Sequence, residues 1–268
     1  MITADKAWAR DLEHIFKYGD KSAPRGMPIV ESLGFSSVIS MNSPIIRNPI
    51  RRLGYKFMAA EAAWILSGKN DVASIKPFSK EISKFSDDGE TFFGAYGPKV
   101  YEQLTYVISI LSQDRDSRQA VINIWRESPP VSKDIPCTLS LQFLIRNHAL
   151  HCVASMRSSD LWLGHPYDIF NFSAISNAVR IELGKIFHER NEMPLVLGDL
   201  YLTAGSKHIY ERNFEGVNEV LEDFDKNGVT KEASDDPVFG IYHDAAEFID
   251  ALWQAAESDE GALSLRKK

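Results

Sequence analysis

The sequence predicts an α+β protein that folds as one domain. Segments whose apolar residues recur every three or four positions, typical of amphipathic helices, alternate with shorter runs of strand-like period. A chain of 268 residues, 44% hydrophobic and 25% charged, can bury a large core as ordinary globular proteins do. No repeat, low-complexity linker or break in composition divides it, so residues 1–268 are expected to form a single domain.

The N-terminal part contains two predicted helices and one short strand. Residues 3–18 carry apolar side chains at helical spacing, with Thr3 as a candidate N-cap and Gly19 where the helix would end. Residues 34–40 resemble a strand, and residues 55–66 return to a helical pattern.

The rest of the chain alternates between both kinds of element. The predicted elements are, in order, a helix near 98–113, a buried strand within 119–125, strands at 138–146 and 149–156, a long helix at 169–186, a strand at 196–204, and helices at 215–226 and 241–257. The segment 215–268 is acidic and helical in pattern, and its last residues, 261–268, are predicted to be a loose tail.

Charge and composition exclude several classes of protein. The formal net charge of −7 disfavours broad non-specific binding to nucleic acid. No apolar run approaches the roughly 20 residues of a membrane span, and the N-terminus lacks the pattern of a signal peptide. The only cysteines are Cys137 and Cys152, so a disulfide framework is not expected, which favours a reducing, cytoplasmic location.

The stretch from Cys137 to Asp168 holds the densest set of candidate functional residues. Cys137 follows a proline-bearing loop and precedes a strand, a place where a thiol can be presented to a cleft. A cysteine there is more often an inert apolar side chain, so a catalytic role depends on its neighbours. Cys152, inside an alternating apolar run, is predicted to belong to the core.

Three separated arginines could surround a phosphate. Arg25, Arg118 and Arg157, the last followed by Ser158, supply the planar donor forks that suit a dianion. Surface arginines and strand-end salt bridges are the more common outcome of such spacing, so both interpretations stay open at this point.

Other polar residues also have two interpretations. Glu61 lies in an alanine-rich apolar helix, where a carboxylate is costly unless it is paired or functional. Asp160 and Asp168 could each cap the helix that follows them. His208 and Tyr210, two apart on an extended segment, point the same way and could bind a ligand hydroxyl. No set of histidine, cysteine and carboxylate residues has metal-ligand spacing, so no metal is expected.

These residues belong to separated motifs that occur in the same order in one known family. The motifs are EAAWILSG at 61–68, AYG at 95–97, DSR at 116–118, PC at 136–137, QF at 142–143, RSSD at 157–160, LGHPYD at 163–168 and GSKHIY at 205–210. They resemble the thymidylate synthase superfamily over roughly residues 10–215. The resemblance implies a large mixed β-sheet flanked by helices, with the sheet packed against a second copy in a homodimer.

The resemblance also implies a role for each matching residue. Cys137 would be the thiolate that adds to C6 of a pyrimidine, after which C5 attacks the one-carbon unit of 5,10-methylenetetrahydrofolate. The other implied roles are proton transfer by Glu61 and Tyr96, base recognition by Asp168, phosphate binding by Arg25, Arg157, Ser158 and the Arg118 of a second subunit, sugar binding by His208 and Tyr210, and folate binding by Asp160, Leu163 and Gly164.

Departures from the family pattern bear on substrate and product. At the position of Asp168, thymidylate synthases have asparagine, whose amide pairs with O4 and N3–H of uracil. A carboxylate can instead accept from the C4 amine of cytosine and, with one shared proton, hold N3, as in the deoxycytidylate hydroxymethylases. Ile82 and Phe85 stand where two tryptophans are usual, and the C-terminal closing segment is not matched. Both losses are expected to let water reach the methylene intermediate. Gln119 stands where the family usually has a second arginine after the DSR motif, so one phosphate contact is expected to be weaker or to come from elsewhere.

The expected activity is conversion of dCMP or CMP to the 5-hydroxymethyl nucleotide with methylenetetrahydrofolate and water. One alternative is a CMP-specific hydroxymethylase of a nucleoside antibiotic pathway, and another is an atypical thymidylate synthase acting on dUMP. A cysteine hydrolase built from Cys137, His208 and Asp160, or a silent nucleotide-binding protein, also stays open. The expected partners are a pyrimidine nucleoside monophosphate and a folate, without nucleic acid or membrane.

Overall fold

One mixed β-sheet carries most of the candidate site residues. The computed structural model describes residues 2–228 and 238–267. The strands of the sheet are β1 (Asp20–Ser22), β2 (Ile29–Ser40), β3 (Val121–Asn123), β4 (Thr138–Arg146), β5 (Ala149–Asp160) and β6 (Val196–Tyr210). Their order across the sheet is β1-β2-β6-β5-β4-β3. β5 and β6 pair in parallel and the other neighbours pair antiparallel, so the sheet is mixed.

Helices cover one face of this sheet. They are α1 (Ala4–Tyr18), α2 (Tyr55–Leu66), α3 (Val72–Ile75), α4 (Gly97–Gln113), α5 (His165–Glu189), α6 (Phe214–Asn227) and α7 (Ala245–Glu257). α5 connects β5 to β6, as a parallel pair requires, and it is buried on nearly all sides. Among the described residues, no helix is both long and apolar enough to cross a membrane. The predicted α+β class is confirmed.

The two faces of the sheet differ in burial. Along β5, Leu150, Cys152 and Ala154 are fully buried under the helices, while the residues between them are only partly buried. Cys152 is therefore a core residue, as predicted. On the opposite face, Leu33 and Tyr201 remain exposed. This second face carries apolar side chains without a covering helix in the described part of the chain.

The strands reach further toward the site than the sequence pattern predicted. β5 continues past residue 156 to Asp160, and β6 continues past residue 204 to Tyr210. Polar residues interrupt the apolar alternation in both extensions. The two extensions pair with each other, Ser158 opposite Ser206 and Asp160 opposite His208, which satisfies their backbone groups.

The prediction of a loose C-terminal tail is wrong for the residues described. Gly261–Lys267 form a 3-10 helix that packs against α2 and α7. Ala262 and Leu265, three positions apart, are both buried, so the segment has an apolar side that the core accepts. The predicted acidic segment 215–268 includes residues 229–237, which lie outside the described residues.

Candidate active site

A cavity of about 190 Å³ brings together residues from four separate segments. Cys137 immediately precedes β4, Glu61 lies on α2, Tyr96 precedes α4, and Asp168 lies in the first turn of α5. All four line the cavity. They are far apart in sequence, so the fold creates this group.

The Cys137 thiol has a polar neighbour on the adjacent strand. Ser158 Oγ lies 3.5 Å from Cys137 Sγ and donates a hydrogen bond to it. Burial raises the pKa of the Cys137 thiol, while the Ser158 hydrogen bond and the positive charge of Arg157 act in the opposite direction. The thiol is therefore mainly protonated at neutral pH in the protein without ligand.

Arg157 fixes the loop that carries this thiol. Its Nε donates to the carbonyl of Pro136 and its Nη2 to the carbonyl of Ile135, each at 2.9 Å. The backbone N–H of Arg157 donates to the carbonyl of Cys137 at 2.8 Å. One residue thus ties the end of β5 to the peptide groups around the nucleophile candidate.

Tyr96 presents a hydroxyl whose acceptor side is already occupied. The Tyr96 oxygen accepts hydrogen bonds from Thr138, from the backbone N–H at 3.3 Å and from Oγ1 at 2.9 Å. Its own proton is then left to donate toward the cavity. Burial, with Asp168 and Cys137 nearby, raises the pKa of Tyr96 well above its ordinary value, so the phenol stays neutral.

Glu61 is a carboxyl group poised to titrate near neutral pH. Burial raises the pKa of Glu61 to about 7, against the lowering effect of a hydrogen bond from Asn171. Asn171 Nδ2 donates to Glu61 Oε2 at 2.7 Å. The sequence interpretation missed Asn171. The sequence feature that could have identified Asn171 is its position three residues after Asp168 in a largely apolar helix, because residues at this spacing lie on the same helix face.

Asp168 faces the same cavity and is not a helix cap. α5 begins at His165, and Gly164 occupies the N-cap position, so the interpretation of Asp168 as a cap is wrong. Burial and the neighbouring carboxyl groups of Glu61 and Asp160 raise the pKa of Asp168 well above its ordinary value. A carboxyl group in this setting readily holds or shares a proton.

Asp160, Leu163 and Gly164 lie together in the turn between β5 and α5. Asp160 Oδ1 accepts the N–H groups of Trp162 and Leu163 at 2.9 and 3.0 Å, so this carboxylate shapes the turn. Leu163 is exposed. The three residues lie outside the cavity of Cys137, and their contact with a folate stays a prediction.

A second cavity of about 530 Å³ adjoins the first, because Ile135 lines both. Its walls include the predicted phosphate and sugar residues Arg25, Arg157, Ser158, His208 and Tyr210. The rings of His208 and Tyr210 lie 5.2 Å apart on one side of β6, as their spacing predicted.

Arg25 is the free cation of this second cavity. Within residues 2–228 and 238–267 its exposed side chain forms no hydrogen bond or ion pair. Its backbone has a φ of 54°, in the left-handed region, which costs a non-glycine residue roughly 1–2 kcal/mol. Arg118, in contrast, is exposed beyond α4 and lies outside both cavities. Its placement in the site of a second subunit stays a prediction.

The first cavity has an apolar wall as well as polar lining residues. This wall includes Trp64, Ile65, Ile82, Phe85 and Phe92. Ile82 and Phe85 thus lie in the wall where the resemblance places two tryptophans, and Phe85 is partly exposed at 55%. In the part of the chain that is described, no three His, Cys, Asp or Glu side chains are grouped to hold a metal.

A comparison with known families agrees with the motifs and with this geometry. A family model described as "Thymidylate synthase" matches residues 6–232. The chain belongs to the thymidylate synthase family. The resemblance inferred from the motifs is therefore confirmed, and the mixed sheet with its flanking helices is the fold of this family.

Two phage proteins that resemble this chain carry the same description. A "Deoxyuridylate hydroxymethyltransferase" of Bacillus phage SP01 is 31% identical over 254 residues, which are 85% of this chain and 62% of the relative. A protein of the same description from Pseudomonas phage M6 is 30% identical over 193 residues, 68% of this chain and 51% of the relative. The chain thus spans less than two thirds of the length of these relatives.

Proposed function

We propose that this chain is a folate-dependent C5 hydroxymethyltransferase of pyrimidine nucleoside monophosphates, and that its base is cytosine. The observation that carries the proposal is that Cys137 and Asp168 line one cavity. In the family, these two positions attack the ring and read the base. The hydroxymethyltransferase descriptions of both phage relatives support the reaction type.

The two adjoining cavities suit one nucleotide. Arg25, Arg157 and Ser158 would bind the phosphate, because guanidinium groups match a dianion. His208 and Tyr210 would bind the sugar, and the base would enter the cavity of Cys137. The arginines would thus bind the phosphate in one cavity, while the base would face Cys137, Tyr96 and the carboxyl groups of the other.

The chemistry begins at Cys137. Its thiolate adds to C6, which moves electron density to C5 and to the N3 side of the ring. Protons held by Glu61 and Asp168 stabilise the charge on that side, and the neutral Tyr96 phenol assists transfer of the C5 proton. A bound methylenetetrahydrofolate supplies the one-carbon unit. The balanced reaction joins nucleotide, methylenetetrahydrofolate and water to give the 5-hydroxymethyl nucleotide and tetrahydrofolate.

The base assignment depends on the donors and acceptors of Asp168. An ionised carboxylate has only acceptors, which suit the C4 amine and a protonated N3 of cytosine but meet O4 of uracil with repulsion. A neutral carboxylic acid has one donor and one acceptor and can match either base. Cytosine is therefore compatible with both protonation states of Asp168, and uracil with one.

Uracil is the second candidate base, favoured by the descriptions of the relatives and compatible with a neutral Asp168. The relatives are described as deoxyuridylate enzymes, and the raised pKa of Asp168 favours its neutral form.

The product depends on how well the cavity excludes water. Ile82 and Phe85 supply less ring surface over the cavity than two tryptophans would, which favours capture of the intermediate by water.

A second subunit completes the proposed site. The sheet face that carries Leu33 and Tyr201 has no helix over it in the described residues, and a copy of the chain could cover it. That arrangement would let Arg118 reach the phosphate cavity of its neighbour.

We take dCMP as the default substrate, and CMP as the next candidate.

Product masses test the proposal directly. The protein is incubated with methylenetetrahydrofolate and dCMP, CMP or dUMP, and the nucleotides are weighed. We expect a gain of one CH₂O unit on a cytidylate. A gain of one CH₂ unit on dUMP, with the cytidylates unchanged, contradicts both the base and the reaction. Acyl-enzyme trapping with esters would instead reveal a cysteine hydrolase, and binding without turnover a silent protein.

A further inference from the structure

A carboxylate in the second cavity has no role in the reaction described above. Glu31, on β2, lines this cavity together with Ser206, His208 and Tyr210 of β6. Glu31 and His208 are direct partners in the antiparallel ladder, so their side chains leave the sheet on the same face. Ser206, His208 and Tyr210 alternate along β6 and share that face.

Glu31 is held in place through one of its two oxygens. Ser206 Oγ donates a hydrogen bond to Glu31 Oε2. Within the described ranges, Glu31 makes no ion pair with Arg25 or Arg157, although all three line the cavity. Oε1 is consequently left to accept from a ligand, and the side chain is only partly buried.

The chemistry of the cavity restricts what that ligand group is. A carboxylate accepts hydrogen bonds and repels a phosphate, so it does not serve the end of the cavity where the arginines lie. In the proposed function, the base enters the cavity of Cys137, which shares Ile135 with this one. The sugar is the part of the nucleotide between these ends, and its hydroxyl groups are donors.

We propose that Glu31, held by Ser206, accepts a hydrogen bond from a sugar hydroxyl of the nucleotide. This inference rests on the proposed function, since it concerns the same nucleotide site. Three residues then surround the sugar: the carboxylate of Glu31 as acceptor, with the His208 ring and the Tyr210 hydroxyl beside it. The His208 Nδ1 atom is buried without a protein partner among the described residues, in keeping with a site that lacks its ligand groups.

Direct binding measurements test this without relying on turnover. CMP, dCMP, 2′,3′-dideoxycytidine monophosphate and inorganic phosphate are titrated calorimetrically into the wild-type protein and its variants. In Glu31→Ala, we expect at least about tenfold weaker binding of CMP, dCMP or both, because a hydrogen bond to a charged acceptor is lost. The dideoxy nucleotide and phosphate should bind as tightly as before or more tightly, because a negative charge has gone.

Two further variants separate sugar recognition from loss of fold or of charge. Glu31→Gln keeps a carbonyl oxygen and should restore part of the binding. Glu211→Gln removes an exposed carboxylate just beyond Tyr210 and should change none of the four affinities. A loss confined to CMP assigns the 2′-hydroxyl, and a loss shared with dCMP assigns the 3′-hydroxyl.

An equal loss of affinity for CMP, dCMP and the dideoxy nucleotide in Glu31→Ala would overturn the inference, as would unchanged affinities for all ligands. If the wild-type protein binds none of the three nucleotides, the proposed function fails together with it. If the wild-type protein binds the nucleotides and the Glu31 variants bind them with the same affinities, only the role of Glu31 is contradicted and the proposed function stands.

Discussion

Ser158 Oγ donates to Cys137 Sγ across 3.5 Å, from the end of β5 to the residue before β4. This contact joins the two cavities, since Cys137 lines the first and Ser158 the second. In the function proposed above, the phosphate binds on the Ser158 side of this contact and the base on the Cys137 side. We therefore expect phosphate binding to affect the protonation of Cys137 through the Ser158 hydroxyl.

Replacement of the nucleophile should abolish the first chemical step. In Cys137→Ala, we expect exchange of the C5 hydrogen of the nucleotide with solvent to fall by at least about 1000-fold, as for loss of other covalent nucleophiles. Nucleotide binding should persist, because the arginines remain. Cys152→Ala, which alters the buried cysteine of β5, is the matched control and should retain exchange. Retained exchange in Cys137→Ala would remove this thiol from the mechanism.

Replacement of the base-reading carboxyl should change base preference. In Asp168→Asn, the amide matches O4 and N3–H of uracil without a shared proton. We expect the ratio of kcat/KM for dCMP to that for dUMP to fall by at least about 100-fold, as expected when a buried polar pair is mismatched. Asp134→Asn is the control, because Asp134 lines the same cavity while its carboxylate accepts from Gly94 N–H at 2.7 Å. If the ratio of kcat/KM values changes equally in both variants, the change comes from loss of a carboxyl group in the cavity and not from base recognition by Asp168.

The pKa of Glu61, raised to about 7 by burial, should appear in the pH dependence. Ring attack needs the Cys137 thiolate, whose population rises tenfold per pH unit below the raised pKa of that thiol. It also needs protonated Glu61, whose population falls at the same rate above about 7. The rate should therefore rise with pH up to about 7 and then level off.

Glu61→Gln removes one of these two opposing titrations. Its C5 exchange rate, although lower, should keep rising past 7 toward the pKa of the thiol. The second ionisation of the nucleotide phosphate, near a pKa of about 6, is common to both proteins and serves as the internal control. A levelling near 7 that survives in Glu61→Gln would assign that titration to another group.

Most of the fold followed from local patterns. The helices α1 and α2 and the strand β4 have the bounds that their spacing and end residues predicted, within a residue or so. The extensions of β5 and β6 did not follow, because their polar sequences pair only with each other, a non-local interaction. The helical segment at Gly261–Lys267 was missed because its two apolar side chains are buried only by contact with α2 and α7, and α2 is distant in sequence.

Site residues that belong to a sequence motif could be predicted. Residues whose role depends on a side-chain contact between two different helices or strands could not. Cys137, Glu61 and Asp168 were identified from the sequence and line one cavity. Asn171 and Glu31 were missed, since nothing in their local sequence shows that one contacts Glu61 and the other Ser206. Such contacts depend on how α2 lies against α5 and on the register of β2 against β6.

A buried ion pair beneath the site should dominate the stability of this region. Lys207 Nζ lies 3.3 Å from Asp11 Oδ2, and both side chains are fully buried. Ser37 hydrogen-bonds both of them. Asp11→Ala leaves the Lys207 ammonium buried without its carboxylate, so we expect the free energy of unfolding to fall by about 3–5 kcal/mol.

Replacing both members of this pair separates the cost of an orphaned charge from the value of the pair itself. Asp11→Leu combined with Lys207→Met fills the same space with apolar groups, and we expect it to be less destabilising than Asp11→Ala, because no buried charge remains. Urea denaturation of the single and double variants measures both. Exposed Lys17, paired with Glu13 at 2.7 Å, gives the control, since Lys17→Ala should change stability by less than about 1 kcal/mol. A double variant as unstable as Asp11→Ala would mean that the ion pair itself stabilises the fold.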